Sequence, residues 1–274
     1  MAILSLDHLH FDARQCVSEG EARHASYVSA APFPHIVMDD FLSADLLRAA
    51  LVDFPSTAGK RFFDRDQERL KYQFKPDEIA PGTLRTLLAE LNSEAFVAFL
   101  EALTGIKGLI PDPHFEGGGL HETKAGGHLG VHADFNVHDT LRLERRLNLL
   151  IYLNDDWDDE FGGALELWDR DMTAAQVSIK PVIARAVIFN TNRDSFHGQP
   201  AALTCPPDRA RRSIATYYYT APENGVASLP KRTTNFQSRP GTADARDWTI
   251  GYFHFVRDWV PFKLQRLALR LIGY

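Results

Sequence analysis

The sequence predicts a mainly β domain with flanking helices, a double-sheet jelly roll or barrel. From about Leu120 onward, short apolar runs are broken by Gly, Asn, Asp and Pro, as in antiparallel strands joined by loops. These runs do not alternate with helical segments, which argues against strand-helix-strand units, and helical periodicity is confined to the first third and the far end of the chain. With 274 residues, 45% of them hydrophobic, the chain can bury one large core. No internal repeat or low-complexity tract divides it. Residues 1–274 are therefore expected to form a single domain: 1–115 as helical support with outer strands, 116–222 as the jelly-roll core, and 223–274 as an extension ending in a helix.

The elements follow in order. After the proline-rich stretch from Ala31 to Pro34, Ser43 is placed to cap a helix over Ala44 to Asp53. Pro81 to Leu103 has apolar residues at helical spacing. Between them, Lys60 to Asp77 is charged yet carries Phe62, Phe63, Tyr72 and Phe74, and Lys71 to Lys75 alternates like a short strand. Strands are expected over Arg146 to Asn154, Ala164 to Trp168, Val177 to Ile179, Ala186 to Asn190 and Arg212 to Thr220. Pro261 to Ile272 reads as a helix with Lys263, Arg266 and Arg270 on one side and Leu264, Leu267 and Leu271 on another. That cationic stripe suits docking onto the domain, with a membrane surface or a partner as the alternatives.

Composition narrows the function classes. A charged fraction of 24% and a net charge of -6 fit neither a disordered acidic tail nor a basic nucleic-acid binder. Cys16 and Cys205 alone cannot make a disulfide framework, which points to a reducing, cytoplasmic setting. The first residues carry Asp7 and only a short apolar stretch, unlike a secretory signal. No run approaches the roughly 18 apolar residues that span a bilayer.

The chemistry is expected at Gly130 to Asp134. His132 and Asp134 are two apart, so on a strand or its edge both project to one face. A His-x-Asp pair is weak support by itself, since His10-Phe-Asp12 has the same spacing in a terminal segment with no supporting context. What distinguishes His132 and Asp134 is the glycine-rich approach at Gly126 and Gly127 and the later Ser195-Phe-His-Gly198. His197 completes a set of two imidazoles and one carboxylate, which leaves adjacent coordination positions open, as in oxygen-activating Fe(II) sites. Further on, Arg211-Arg-Ser-Ile-Ala-Thr-Tyr217 reads as a strand whose alternation puts Arg211, Ser213, Ala215 and Tyr217 on one face. A guanidinium beside a hydroxyl suits a carboxylate ligand. Tyr152 shares a face with Asn148 and Leu150 and can add a donor, or can simply fill the strand.

These motifs together resemble the Fe(II)/2-oxoglutarate-dependent dioxygenases, in particular the prolyl 4-hydroxylase-like branch. The resemblance covers roughly Leu120 to Thr220. It rests on His132-Ala-Asp134, on Ile151 to Trp157 followed by Gly162 to Leu167, on Val187 to Asn190 leading to His197, and on Arg211-Arg-Ser213. It implies a double-stranded β-helix, a cupin-like jelly roll, with His132, Asp134 and His197 on iron. It further implies Arg211 with Ser213 on the distal carboxylate of 2-oxoglutarate, assisted by Tyr152. The cofactors implied are Fe(II), 2-oxoglutarate as co-substrate and dioxygen, with ascorbate as an accessory reductant. The reaction implied is hydroxylation of an unactivated C–H bond in a prolyl or other peptidyl or amino-acid-like substrate. A small-molecule metabolite as substrate, or a non-catalytic jelly roll that holds a metal or ligand, are the alternatives. The carboxylate at Asp134 argues against halogenation, where that branch of chemistry leaves the position open for a halide.

One departure stands out. Members often carry a Tyr nine or ten residues before the first ligand, where Glu122, Thr123 and Lys124 stand here. A hydrolytic zinc site on His128, His132 and His138 is disfavoured because no general base is spaced as in His-Glu-x-x-His. Lys60 to Lys75 and the tail after Ala221, including Arg232 to Arg239, are candidates for a lid, though solvated connections are the more ordinary reading.

Overall fold

Alternation along the central strands decides how the layers form. In the computed structural model, which describes residues 2–58, 60, 62–222, 232–244, 252, 255–256, 259–261, 264–265 and 267–268, the strands pair antiparallel throughout. Among the described residues they are β1 (His35–Met38), β2 (Phe63–Arg65), β3 (Glu68–Phe74), β4 (Ile110–Pro111), β5 (Gly119–Ala133), β6 (Glu144–Tyr152), β7 (Leu165–Trp168), β8 (Ala175–Ile179), β9 (Ala186–Asn190), β10 (His197–Gln199), β11 (Ala210–Thr220) and β12 (Asn235–Phe236). The helices with defined bounds are α1 (Ala13–Val28), α2 (Ala44–Val52), α3 (Thr83–Glu90) and α4 (Glu94–Thr104).

The sheet runs β1-β9-β6-β11-β5-β10-β7-β8, and β5 belongs to both of its halves. Its first part, from Gly119 to Lys124, lies between β11 and β3. Its last part, from Leu129 to Ala133, pairs with β10 and β12. The one long strand thereby curls the sheet into a nearly closed barrel, the double-stranded β-helix expected from the sequence.

On β6, Leu147, Leu149 and Ile151 face outward into the main core, where they meet Phe96, Leu100 and Leu103 of α4 and Leu46 and Leu47 of α2. Asn148, Leu150 and Tyr152 face the barrel interior. The helices are thus a buttress for one face of the sheet. α1 lies on α4 so closely that a Cβ on Gly20 would sit 2.6 Å from the Phe99 carbonyl oxygen.

Most of the expected elements are present within a residue or two. Ser43 caps α2, its Oγ accepting from Leu46 N at 3.1 Å. The expected helix from Pro81 to Leu103 is two helices instead. Its apolar spacing continues across the break, but Ser93 accepts from Phe96 N at 3.3 Å and so starts α4 afresh, while the Asn92 amide reaches the Asp112 carbonyl at 3.0 Å. The helix expected over 261–272 lies largely outside the described residues. No helix of the described residues is long and apolar enough to cross a membrane.

β10 is seated tightly on β5. A Cβ on Gly198 would lie 2.7 Å from the Gly130 carbonyl oxygen and 2.9 Å from Val131 Cα. Gly198→Val should therefore push β10 off β5 and destabilise the fold by about 1–3 kcal/mol. Urea denaturation measures the loss, and an unchanged midpoint contradicts this account of the seat.

Candidate active site

β10 and β5 are in register at His197 and His132, and Asp134 follows at the end of β5. The ligand atoms of these three side chains lie within 4.8 Å of one another. His132 Nδ1 donates to the Gly130 carbonyl at 2.8 Å, and His197 Nδ1 donates to the Ser195 carbonyl at 3.0 Å. With Nδ1 protonated, each ring keeps the Nε2 lone pair, and both Nε2 atoms face the carboxylate, at 3.6 Å for His132 and 3.5 Å for His197. Backbone carbonyls that fix the tautomer and the ring plane are the usual outer support of a metal-binding imidazole. The donor set, two imidazole nitrogens and one carboxylate, fits a divalent cation.

Burial sets the charge states. It pulls the His197 imidazole down to about 4, against an opposing effect from Asp134, so the ring is neutral at physiological pH. Burial alone would raise the Asp134 carboxyl, but Arg145 and then the two imidazoles hold it well below the usual carboxylate range. Arg145 meets Asp134 Oδ2 at 3.1 Å, and the Asn148 amide donates to the same oxygen at 2.8 Å.

These groups line a cavity of about 210 Å³. Arg211, Ser213 and Tyr217 of β11 all reach it, as their alternation predicts. Arg212 points the other way, its Nε donating to Glu122 at 2.6 Å, so the adjacent arginines are told apart by the pleat. The Arg211 Nε donates to the Gly163 carbonyl at 2.7 Å, and Nη2 meets the Tyr152 hydroxyl at 3.3 Å. Arg211 is 9% exposed, and no carboxylate pairs with it among the described residues. Burial lowers its pKa, with Tyr152 opposing, yet a guanidinium stays charged in a protein. Tyr152 is fully buried and is not among the residues that line the cavity; it stands behind Arg211 and orients it.

The rest of the wall comes from segments the sequence left open. Where a family Tyr is absent, His121 and Thr123 face the cavity and Glu122 faces outward. The β2–β3 hairpin supplies Phe63, Arg65, Glu68, Lys71 and Gln73, and the tail supplies Thr234 and Phe236. The reading of Lys60 to Lys75 and Arg232 to Arg239 as solvated connections is therefore corrected: parts of both are cavity wall. A β-bulge at Leu70 lets Glu68 and Lys71 turn inward together, where Glu68 holds Lys71 Nζ and Arg65 Nη2 at 2.8 Å each. Arg145 and Asn148 went unrecognised as site residues. The available signal was Asn148 in the middle of an apolar strand, a buried amide that requires a partner.

The rival histidines have structural roles. His10 binds Glu90, Asp12 caps α1, His128 reaches the Asp66 carbonyl, and His138 sits between Asp112 and Glu116.

Glu68 generates a pH dependence. Burial raises its pKa, but Lys71 and Arg65 more than offset this and bring it from 4.5 to about 2. The unfolded chain takes up this proton first, so the stabilisation is complete above pH 4.5 and is lost as pH falls toward 2. The loss should be about 3 kcal/mol, and Glu68→Gln should remove that part of the acid dependence in urea titrations.

Comparisons with known proteins complete the description. Residues 118–219 match the 2OG-Fe(II) oxygenase superfamily. No curated protein matches the chain by sequence. A Pseudomonas putida prolyl 4-hydroxylase shares the fold with a TM-score of 0.52 and 20% identity, covering 73% of this chain and 98% of that one. A Trichoplax adhaerens prolyl hydroxylase, solved with a hypoxia inducible factor peptide fragment, gives 0.56 and 16% over 81% and 99%. SnoN, a non-heme alpha ketoglutarate dependent epimerase from nogalamycin biosynthesis, gives 0.50 and 14% over 85% and 94%.

Proposed function

We propose that this chain, whose residues 118–219 are a 2OG-Fe(II) oxygenase superfamily domain, hydroxylates an unactivated C–H bond of a prolyl or other peptidyl or amino-acid-like substrate. It is a 2-oxoglutarate-dependent dioxygenase with Fe(II), 2-oxoglutarate and dioxygen as its cofactor and co-substrates. In this reading His132, Asp134 and His197 hold the iron, and Arg211 with Ser213 takes the distal carboxylate of 2-oxoglutarate. Tyr152 acts through Arg211, whose guanidinium it orients.

The observation that carries the proposal is the buried, carboxylate-free guanidinium of Arg211 in the same cavity as the three ligand side chains. An uncompensated buried cation is costly, and a bound carboxylate is what would offset it. When bound, Fe(II) with 2-oxoglutarate and dioxygen supplies the oxidation that yields succinate, carbon dioxide and a hydroxylated product. The chain's own contribution is orientation and charge. The imidazoles are aimed by Gly130 and Ser195, Asp134 is kept ionised by Arg145, and Leu129, Leu150, Leu165 and Phe236 supply the apolar part of the wall.

The prolyl assignment is supported by the shared fold of the Pseudomonas and Trichoplax enzymes. The second reading, a small-molecule metabolite, is favoured by the cavity's modest volume and by SnoN, an epimerase that shares the fold at a slightly lower TM-score.

Anaerobic protein loaded with Fe(II) and 2-oxoglutarate should release succinate on exposure to oxygen, and His132→Ala should not. Loaded wild-type protein that neither binds 2-oxoglutarate nor forms succinate defeats the proposal in favour of a non-catalytic binding protein. Arg211→Met should weaken 2-oxoglutarate binding on the order of a hundredfold. Without ligand, the same variant should melt no lower than wild type, because it removes an unpaired buried cation.

A further inference from the structure

Asp134 is gripped on one side only. Arg145 Nη2 and Asn148 Nδ2 both reach Oδ2, which also faces His197 Nε2 at 3.5 Å, whereas Oδ1 faces the His132 ring at 3.6 Å, with neither of those two donors on it. Asn148 also accepts from Arg145 through Oδ1, at 3.0 Å from Nε and 2.6 Å from Nη2. Carboxylate, guanidinium and amide thus form a closed ring in which none can turn without breaking two contacts.

The fold is bent to make this ring. Strict alternation on β6 would point Arg145 and Asn148 to opposite faces. β6 carries a bulge there, since Tyr218 pairs with Leu147 and Tyr219 with Arg145, leaving Arg146 as the extra residue. Arg145 is thereby turned inward, where it is 1% exposed and stacks 3.4 Å over the Tyr217 ring and 4.6 Å from the Phe135 ring. A counter-ion for Asp134 needs no such register shift, and a neutral donor to Oδ2 is already present in Asn148. Arg145 adds a fixed positive charge 3.1 Å from a candidate metal ligand.

We propose that Arg145, locked by Asn148, is a positioning residue that limits Asp134 to metal binding through one oxygen and biases the bound iron toward the ferrous state. This rests on the assignment of His132, Asp134 and His197 as iron ligands. A carboxylate whose second oxygen accepts two strong donors is a weaker electron donor, and a nearby cation disfavours the ferric ion, which carries one more charge. Both effects have the same sign. At an effective dielectric constant of about 20, one unit charge at this remove is worth on the order of tenfold to a hundredfold in ferric-to-ferrous preference.

The test uses full-length protein loaded with iron without 2-oxoglutarate, titrated anaerobically with redox mediators and read by the ferric EPR signal. A parallel Co(II) loading reports coordination by absorption. Arg145→Met should raise the ferric-to-ferrous preference on the order of tenfold to a hundredfold, and Arg145→Lys should return most of that shift. Asn148→Ala should alter the Co(II) spectrum. A preference in Arg145→Met that matches wild type, or a shift that Arg145→Lys leaves unreversed, overturns the proposal. If Arg145→Met does not fold, an unchanged Co(II) spectrum in Asn148→Ala overturns it instead. Wild-type protein that takes up neither Fe(II) nor Co(II) defeats the ligand assignment itself, before any variant is compared.

Discussion

The antiparallel pairing of His197 with His132 is the contact on which the rest of the cavity depends. It joins two strands that are far apart in sequence and sets their imidazoles side by side, with ring centroids 4.5 Å apart. Backbone hydrogen bonding between the strands, not attraction between the two rings, brings the imidazoles together. Gly198 permits the approach by having no side chain to separate β10 from β5. Once the pairing is made, the end of β5 can bring its carboxylate to the same point. The helices then act at a distance, by backing the opposite face of the sheet that holds these strands.

Within the barrel, burial is organised so that nearly every charge has a partner. Asp134 has Arg145, Glu68 has Lys71 and Arg65, and Glu122 has Arg212 on the outer face. Such closure is what a low-dielectric interior demands. Arg211 departs from it, with a backbone carbonyl and a phenol in place of an acid. The departure is local and specific, since its neighbour Arg212 is paired in the ordinary way. Among the described residues, a guanidinium that faces the cavity with no carboxylate beside it gives the site a place for an anion.

Much of this was legible in the residues. Strand alternation put Arg211 and Ser213 on one face and separated them from Arg212, and the His132–Asp134 pair with the later His197 marked the cluster. Other features were hidden by departures from simple periodicity. The apolar rhythm of 81–103 runs through a helix break that only the capping chemistry of Ser93 reveals. The bulges at Leu70 and Arg146 reverse the facing of everything before them, so Glu68 and Arg145 read as exterior residues although both are interior. The hairpin from Phe63 to Phe74 looked solvated because its charges, counted singly, suggest solvent. They are tolerated at the cavity wall because they neutralise one another.

Tyr152 illustrates how the structure redistributes roles among the residues that the sequence identified. A phenol on the interior face of β6 can serve a ligand directly, and the resemblance suggested that it does. Its hydroxyl instead meets Arg211, and its ring lies among Phe33, Leu165 and Phe189. Tyr152 therefore determines where the guanidinium points, as Arg145 and Asn148 determine where the Asp134 carboxylate points. In both cases a charged group facing the cavity is held by a side chain hydrogen-bonded to it, and in both cases β6 supplies that second side chain. β6 lies between β9 and β11 in the sheet, where hydrogen bonding on both sides leaves it little freedom to move. The guanidinium of Arg211 and the carboxylate of Asp134 are thus both held by side chains of the same strand. A displacement of β6 would disturb the two together, and this coupling explains why the strand that provides none of the three candidate metal ligands is nevertheless the one that organises the site.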